Sequence, residues 1–276
     1  MLVVDAIFHR DGDLFVPSPA AGSPWTKDAL HGGPPAGLLA RCIEAYIGDP
    51  EMQLARLTVD LFRAVPSQPL AVQVESVRSG RRIHVVQASI LADGQEVTRA
   101  TAALLRRSDA PVGGLSYPPP PGPDGLPVNA GLARPRGDAP EPERPRLEGF
   151  HTFIEVAWAS ERFAPLPTAW MRIPVPFIAG EETSPVTRAA ALSDFGNALA
   201  NQVGNEGAPA SAMSALSYIN SDITLYLDRN PRGEWLCLQA DFRDEAEGVG
   251  HVEAAWFDRE GRYARGVQAR LANPRP

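Results

Sequence analysis

Cysteine is nearly absent from this 276-residue chain: Cys42 and Cys237 are its only two, far apart and without CxxC spacing. That excludes a disulfide framework and a thiolate zinc site, and it suits a reducing compartment. Histidine is almost as scarce. His9, His31, His84, His151 and His251 are scattered, with no pair at metal-ligand spacing, so neither a metal nor another cofactor is expected. No apolar run approaches the roughly 20 residues of a membrane-spanning helix, and the opening "MLVVDAIFHRDGD" turns charged at Asp5, unlike a signal-peptide core. Positive charge is in deficit, 26 Lys and Arg against 33 Asp and Glu, for a net charge of -7. General attraction to nucleic acid or to an anionic membrane is thereby removed. These absences describe a soluble, cytoplasmic protein with no nucleic-acid partner and no membrane insertion.

What the chain has in plenty is proline and glycine, 28 and 24 residues. They concentrate in residues 108–146, which include four consecutive prolines. Proline lacks the amide donor and fixes φ, so this stretch can form neither a helix nor a central strand. It reads as a crossover lying over the surface, and it divides the chain into an N-terminal unit (1–107) and a C-terminal unit (147–276).

The two units resemble each other. "LTVDLFRAVPSQPLAVQVESVRSGRRIHVVQASILADGQEVTRATAALL" (57–105) parallels "ITLYLDRNPRGEWLCLQADFRDEAEGVGHVEAAWFDREGRYARGVQARL" (223–271). Thr58 and Arg63 fall opposite Thr224 and Arg229, and Thr101 falls opposite Gln268. Each copy reads as four alternating strands punctuated by glycine turns. A helix precedes each. "HGGPPAGLLARCIEAYIG" places prolines in its first turn, and "TSPVTRAAALSDFGNALANQVG" offers Ser184 as N-cap with Pro185 behind it. The predicted fold class is α+β, two repeats of one small-residue helix wrapped by an antiparallel sheet.

Within the second helix Asp194, Asn197 and Asn201 share one face. A polar stripe through an alanine-rich helix is either a solvent edge or one wall of a site.

The strings "SPWTKDALHGGPPAGLLAR" (23–41), "LTVDLFR" (57–63), "VRSGRRIHVVQASI" (77–90), "LSDFGNALA" (192–200), "INSDITLYLDR" (219–229), "GEWL" (233–236) and "ARGVQARL" (264–271) resemble, in order and spacing, the type II acyl-CoA thioesterases. The likeness covers nearly all of the chain outside the crossover. It implies a double hotdog fold and hydrolysis of fatty acyl-CoA to free fatty acid and CoA. In that family a helix aspartate, a strand Thr or Ser and a last-strand Gln orient and activate a water. By this resemblance they correspond to Asp194, Asn220 and Gln268, with Asn220 a departure from the hydroxyl and Ser221 its substitute if the register slips by one.

Chemically, a carboxylate in reach of water can take its proton, a contribution of about 10²–10⁴-fold. Burial beside Ala and Phe is expected to raise the Asp194 pKa toward that task, while amide donors from Asn220 and Gln268 fix the water or polarise the carbonyl. His31, Gly32 and Gly33 read as a substrate-binding turn, their amides at a helix N-terminus favouring a thioester oxygen. Arg78, Arg81 and Arg82 suit CoA phosphates, or form a solvated hairpin. Trp25, Trp170 and Phe195 are acyl-tunnel or core aromatics, and residues 158–177 read as a pocket-lining segment. Two other functions compete: a non-catalytic acyl-CoA-binding protein, and a hotdog hydratase or dehydratase. The latter needs a His beside the acid, and none adjoins Asp194 in sequence. The partner is an acyl-CoA; a homodimer is compatible with the sequence.

Overall fold

A computed structural model describes residues 4–110, 113–132, 147–161, 164–203 and 216–274. Parts of the predicted crossover, 111–112 and 133–146, lie outside them.

The chain opens with a hairpin, β1 (Phe8–Asp11) and β2 (Leu14–Pro17). The first helix, α1 (Gly33–Ile47), starts where Pro34 and Pro35 need no amide partner and stops at Gly48, whose φ of 60° is left-handed. Ten of its residues are buried, Leu38, Leu39 and Ile43 completely. The helix is enclosed by the fold over most of its length and opens to solvent at Ala45 and Tyr46, and each of those three side chains contributes about 1.5–3 kcal/mol by burial. Four strands follow: β3 (Met52–Asp60), β4 (Ala71–Ser79), β5 (Ile83–Ala92) and β6 (Gln95–Arg106). Their inward positions, such as Val86, Ala88 and Ile90 of β5, alternate with less buried ones, the period-2 pattern of a sheet with one face on the core.

Next come β7 (Val128–Ala130), a one-turn helix α2 (Phe150–Phe153), β8 (Glu155–Trp158) and β9 (Thr168–Arg172). The segment 158–177, expected to line a pocket, holds the last residue of β8 and all of β9. β9 buries Trp170, whose indole donates to the Pro121 carbonyl at 2.7 Å. Trp25 is corrected, being 65% exposed.

The second central helix is expected as one piece and is found as two, α3 (Pro185–Ser193) and α4 (Phe195–Ala200). Ser184 caps it as predicted, accepting the Thr187 amide at 3.0 Å. The break falls at Asp194, where side chains intrude on the backbone ladder: Gln268 Nε2 donates to the Ser193 carbonyl at 2.7 Å, and Ser193 Oγ donates back to the Ala190 carbonyl at 2.6 Å. The remaining strands are β10 (Leu216–Asn220), β11 (Asp222–Leu227), β12 (Leu236–Ala246), β13 (Val249–Asp258) and β14 (Gly261–Pro274).

Among the described residues these strands form one 12-stranded sheet in the order β4-β5-β6-β3-β11-β14-β13-β12-β9-β8-β7, with β10 paired to β14. The pairings are antiparallel. The sheet is continuous through its middle, where Thr58 of β3 faces Thr224 of β11 and the two hydroxyls meet at 3.2 Å. Register also refines one sequence pairing. Thr101 faces Thr58 and Val267 faces Thr224, so Gln268 lies one residue beyond the position opposite Thr101. In a strand one residue changes the face; Gln268 is therefore buried while Thr101 is partly exposed.

α1 and α3 cross in direct contact. A Cβ on Gly33 would lie 2.2 Å from the Ala191 carbonyl oxygen, and one on Gly37 would lie 2.8 Å from the Ala191 Cβ. No side chain fits between the helices at Gly33. Gly33→Ala must force them apart, and its stability in urea is expected to fall by about 1–3 kcal/mol or more, the range of overpacked cores. Unchanged stability would show that the crossing is not that tight.

Candidate active site

The crossing sets the N-terminus of α1 against the break between α3 and α4. His31, just ahead of α1, places Nδ1 2.9 Å from Asp194 Oδ2; their side chains are 10% and 9% exposed. From the opposite side Asn220, the last residue of β10, donates Nδ2 to Asp194 Oδ1 at 2.7 Å. The Gly33 amide lies 3.2 Å from His31 Nδ1 and also reaches the Asp194 carboxylate. With Nδ1 protonated toward Asp194, only the carboxylate can accept from that amide. Gly32 makes room for the group, because a Cβ there would sit 2.8 Å from Asp194 Oδ2.

Sequence reasoning expects burial to raise the Asp194 pKa, and the structure reverses that. Burial is the largest single influence and does push it up. The charge of His31 and hydrogen bonds from His31, Asn220 and Gly33 together outweigh it, and the carboxyl lies below its ordinary value. Asp194 is an ionised, triply hydrogen-bonded carboxylate, a poorer proton acceptor than a free one. The His31 ring is held by Asp194 on one side and packs against Phe195 at 4.9 Å and Phe150 at 5.6 Å between centroids. The His151 ring lies parallel to it at 6.3 Å.

Gln268 is 3% exposed on β14. A carbonyl can only accept, so its bond to Ser193 fixes the amide with Nε2 toward the helix. Oε1, with no hydrogen-bond partner among the described residues, belongs to the side chain that lines a small cavity with Gly196, Ile223, Leu225, Val252 and Trp256. One donor of Asn220 and one of Gln268 are thus committed to the protein. Ser221 is not needed as a substitute, since Asn220 itself meets Asp194.

Of the residues singled out in the sequence, the structure brings together Asp194, Asn220, His31, Gly32 and Gly33, with Gln268 one helix carbonyl away. It separates Arg78, Arg81 and Arg82, which lie exposed around the β4–β5 turn. The polar stripe also divides. Asn197 and Asn201 turn to Arg270, whose Nη1 donates to them at 3.3 and 2.7 Å. Sequence reasoning missed Arg270. The signal was alternation: Ala264, Gly266, Gln268 and Arg270 share one face of β14, so an inward Gln implies an inward Arg.

The linkage sign for Asp194 follows from its depressed pKa. The ionised carboxylate contributes stability above the ordinary carboxylate pKa of about 3.9, and this is lost as pH falls through the lower folded value. Urea unfolding across pH 7 to 3 is therefore expected to show wild type losing stability more steeply on acidification than Asp194→Asn. Parallel curves would contradict the ionised assignment.

Comparison with known proteins bears on the family and the fold. The family model for the acyl-CoA thioesterase N-terminal domain matches residues 21–105, and that for the C-terminal domain matches residues 119–271. No curated protein sequence matches the chain. Among solved structures, a provisionally assigned thioesterase from Novosphingobium aromaticivorans is 20% identical, with 96% of this chain and 98% of that one covered and a TM-score of 0.70. An acyl-CoA thioesterase II from Mycobacterium marinum is 19% identical, with 88% and 91% covered and a TM-score of 0.62. A hot dog fold protein of unknown function from Alicyclobacillus acidocaldarius is 20% identical, with 99% and 98% covered and a TM-score of 0.66. The architecture is an α+β hotdog fold, and the chain belongs to the acyl-CoA thioesterase family of thioester hydrolases.

Proposed function

We propose that the chain hydrolyses fatty acyl-CoA to the free fatty acid and CoA by means of one water-activating site centred on Asp194. The observation that carries this is the His31–Asp194–Asn220 constellation, a histidine 2.9 Å and an asparagine 2.7 Å from the same carboxylate. Asp194 stays ionised and orients His31 through Nδ1, leaving Nε2 to take a proton from water as its oxygen adds to the thioester carbonyl carbon. The resulting imidazolium is stabilised by the carboxylate. When the tetrahedral intermediate collapses, the C–S bond breaks, and the proton on His31 returns to the departing CoA sulfur. Asn220 holds the carboxylate in place. Gln268 anchors the Ser193 carbonyl and offers Oε1 as an acceptor to the water. Water-activated acyl transfer of this kind needs no metal.

The chain's own other half supports a single site. We read the fold as a double hotdog, with units 1–107 and 147–276 joined by the crossover 108–146. The pair Asn220↔Arg270 of β10 and β14 then falls where the first unit has Leu54↔Leu104 of β3 and β6. Gln268 falls on Ala102. All three first-unit residues are apolar and at most 3% exposed. The first unit contributes His31, Gly32 and Gly33 instead, so the site is built from both.

A hydratase or dehydratase remains the second reading, because the fold supplies the acid–histidine pair that the sequence keeps 163 positions apart. Thiol release from a panel of short to long acyl-CoA thioesters separates the readings. Wild type is expected to turn over, with Asp194→Asn and His31→Gln each losing about a hundredfold or more in kcat. Loss of enoyl absorbance from 2-enoyl-CoA without thiol release would favour the hydratase. Binding of acyl-CoA with neither reaction would favour a binding protein.

A further inference from the structure

Arg270 is the most deeply buried charged side chain near the site, its side chain wholly inaccessible. Its Nη1 holds Asn197 and Asn201, one turn apart and together spanning α4. Its guanidinium lies 4.1 Å from the centroid of the Tyr218 ring and pairs with Glu245. Asn197 in turn donates to the Tyr218 carbonyl at 3.3 Å. Arg243 closes the cluster, donating to Tyr218 Oη at 2.9 Å and to the Asn201 carbonyl at 3.3 Å. Apart from the pair with Glu245 of β12, the contacts end on α4, on its C-cap Asn201 or on β10; Asp194 precedes α4 and Asn220 ends β10.

Packing does not require this arginine. In the first unit the same register position is Leu104, paired with Leu54 as Arg270 is paired with Asn220. Burial and the neighbouring Arg243 bring the Arg270 pKa down to about 10, a sign of the cost of placing it there. Replacing a buried ion pair by apolar residues is often neutral or stabilising. The first unit places leucine at the corresponding register position.

We infer that Arg270 is a positioning residue: it clamps α4 to β10 and β14 so that Asn220 reaches the Asp194 carboxylate. The inference deepens the single-site reading and rests on it only for the catalytic readout. The charged and titratable groups joined by these contacts are His31, His151, Tyr218, Arg243, Glu245 and Arg270.

The test compares wild type, Arg270→Met and Asn220→Ala by thioester kinetics and by NMR titration of the His31 ring, which needs no turnover. Arg270→Met is expected to lower kcat about tenfold to a hundredfold, the loss typical of small displacements, with KM within about threefold. It should also shift the His31 titration in the same direction as Asn220→Ala. A lower melting temperature with unshifted His31 titration would mean a merely structural role and would overturn the inference, as would unchanged kcat. If Arg270→Met does not fold, the double variant Asn197→Ala, Asn201→Ala removes the helix end of the clamp and carries the same expectations. If wild type turns over no thioester, the hydrolase mechanism fails and the His31 titration alone decides Arg270.

Discussion

Everything at the site depends on how closely two helices touch. Gly33 meets the Ala191 carbonyl with no space for a Cβ. That contact brings the start of α1 to the end of α3, and with it His31 to Asp194 across 163 residues of sequence. Larger residues at the crossing would bury more apolar area and hold the helices further apart. The small-residue helices therefore set the geometry of the candidate site as well as the packing, because van der Waals contact at the crossing sets the hydrogen-bond distance a few ångströms away.

The break at Asp194 follows the same logic. A continuous helix would satisfy the Ser193 carbonyl internally and keep its side chains in a regular spiral. Gln268 takes that carbonyl, and the helix yields one residue later. Asp194 then faces three donors while buried, so hydrogen bonding and charge outweigh desolvation and the carboxylate stays ionised. A buried carboxylate without those donors would take up a proton instead. The same three donors make Asp194 a poorer proton acceptor than a free carboxylate.

The sheet distributes these duties unevenly. Its two halves use matching registers around the Thr58–Thr224 junction, yet one half places Leu54, Ala102 and Leu104 where the other places Asn220, Gln268 and Arg270. Apolar residues suffice for packing, so polar ones on the second side carry a different requirement. Each is tied to the broken helix: Asn220 to Asp194, Gln268 to Ser193, Arg270 to Asn197 and Asn201.

Much of this was legible in the residues alone. Proline placement gave the starts of both central helices, and alternation gave the strands. Asp194, Asn220 and Gln268 stood out through a family resemblance and the oddity of an acid among alanines. Three things needed the tertiary structure. His31 and Asp194 meet only because helices cross, a contact no local pattern encodes. Arg270 was hidden because an arginine on a strand is ordinarily solvated, and its burial depends on which face the register turns inward. The sign of the Asp194 shift depended on the number of donors around it, which come from a loop, a helix amide and a strand end. Local propensity and periodicity determine elements; distances between side chains far apart in the chain are set by packing, and chemistry depends on those distances.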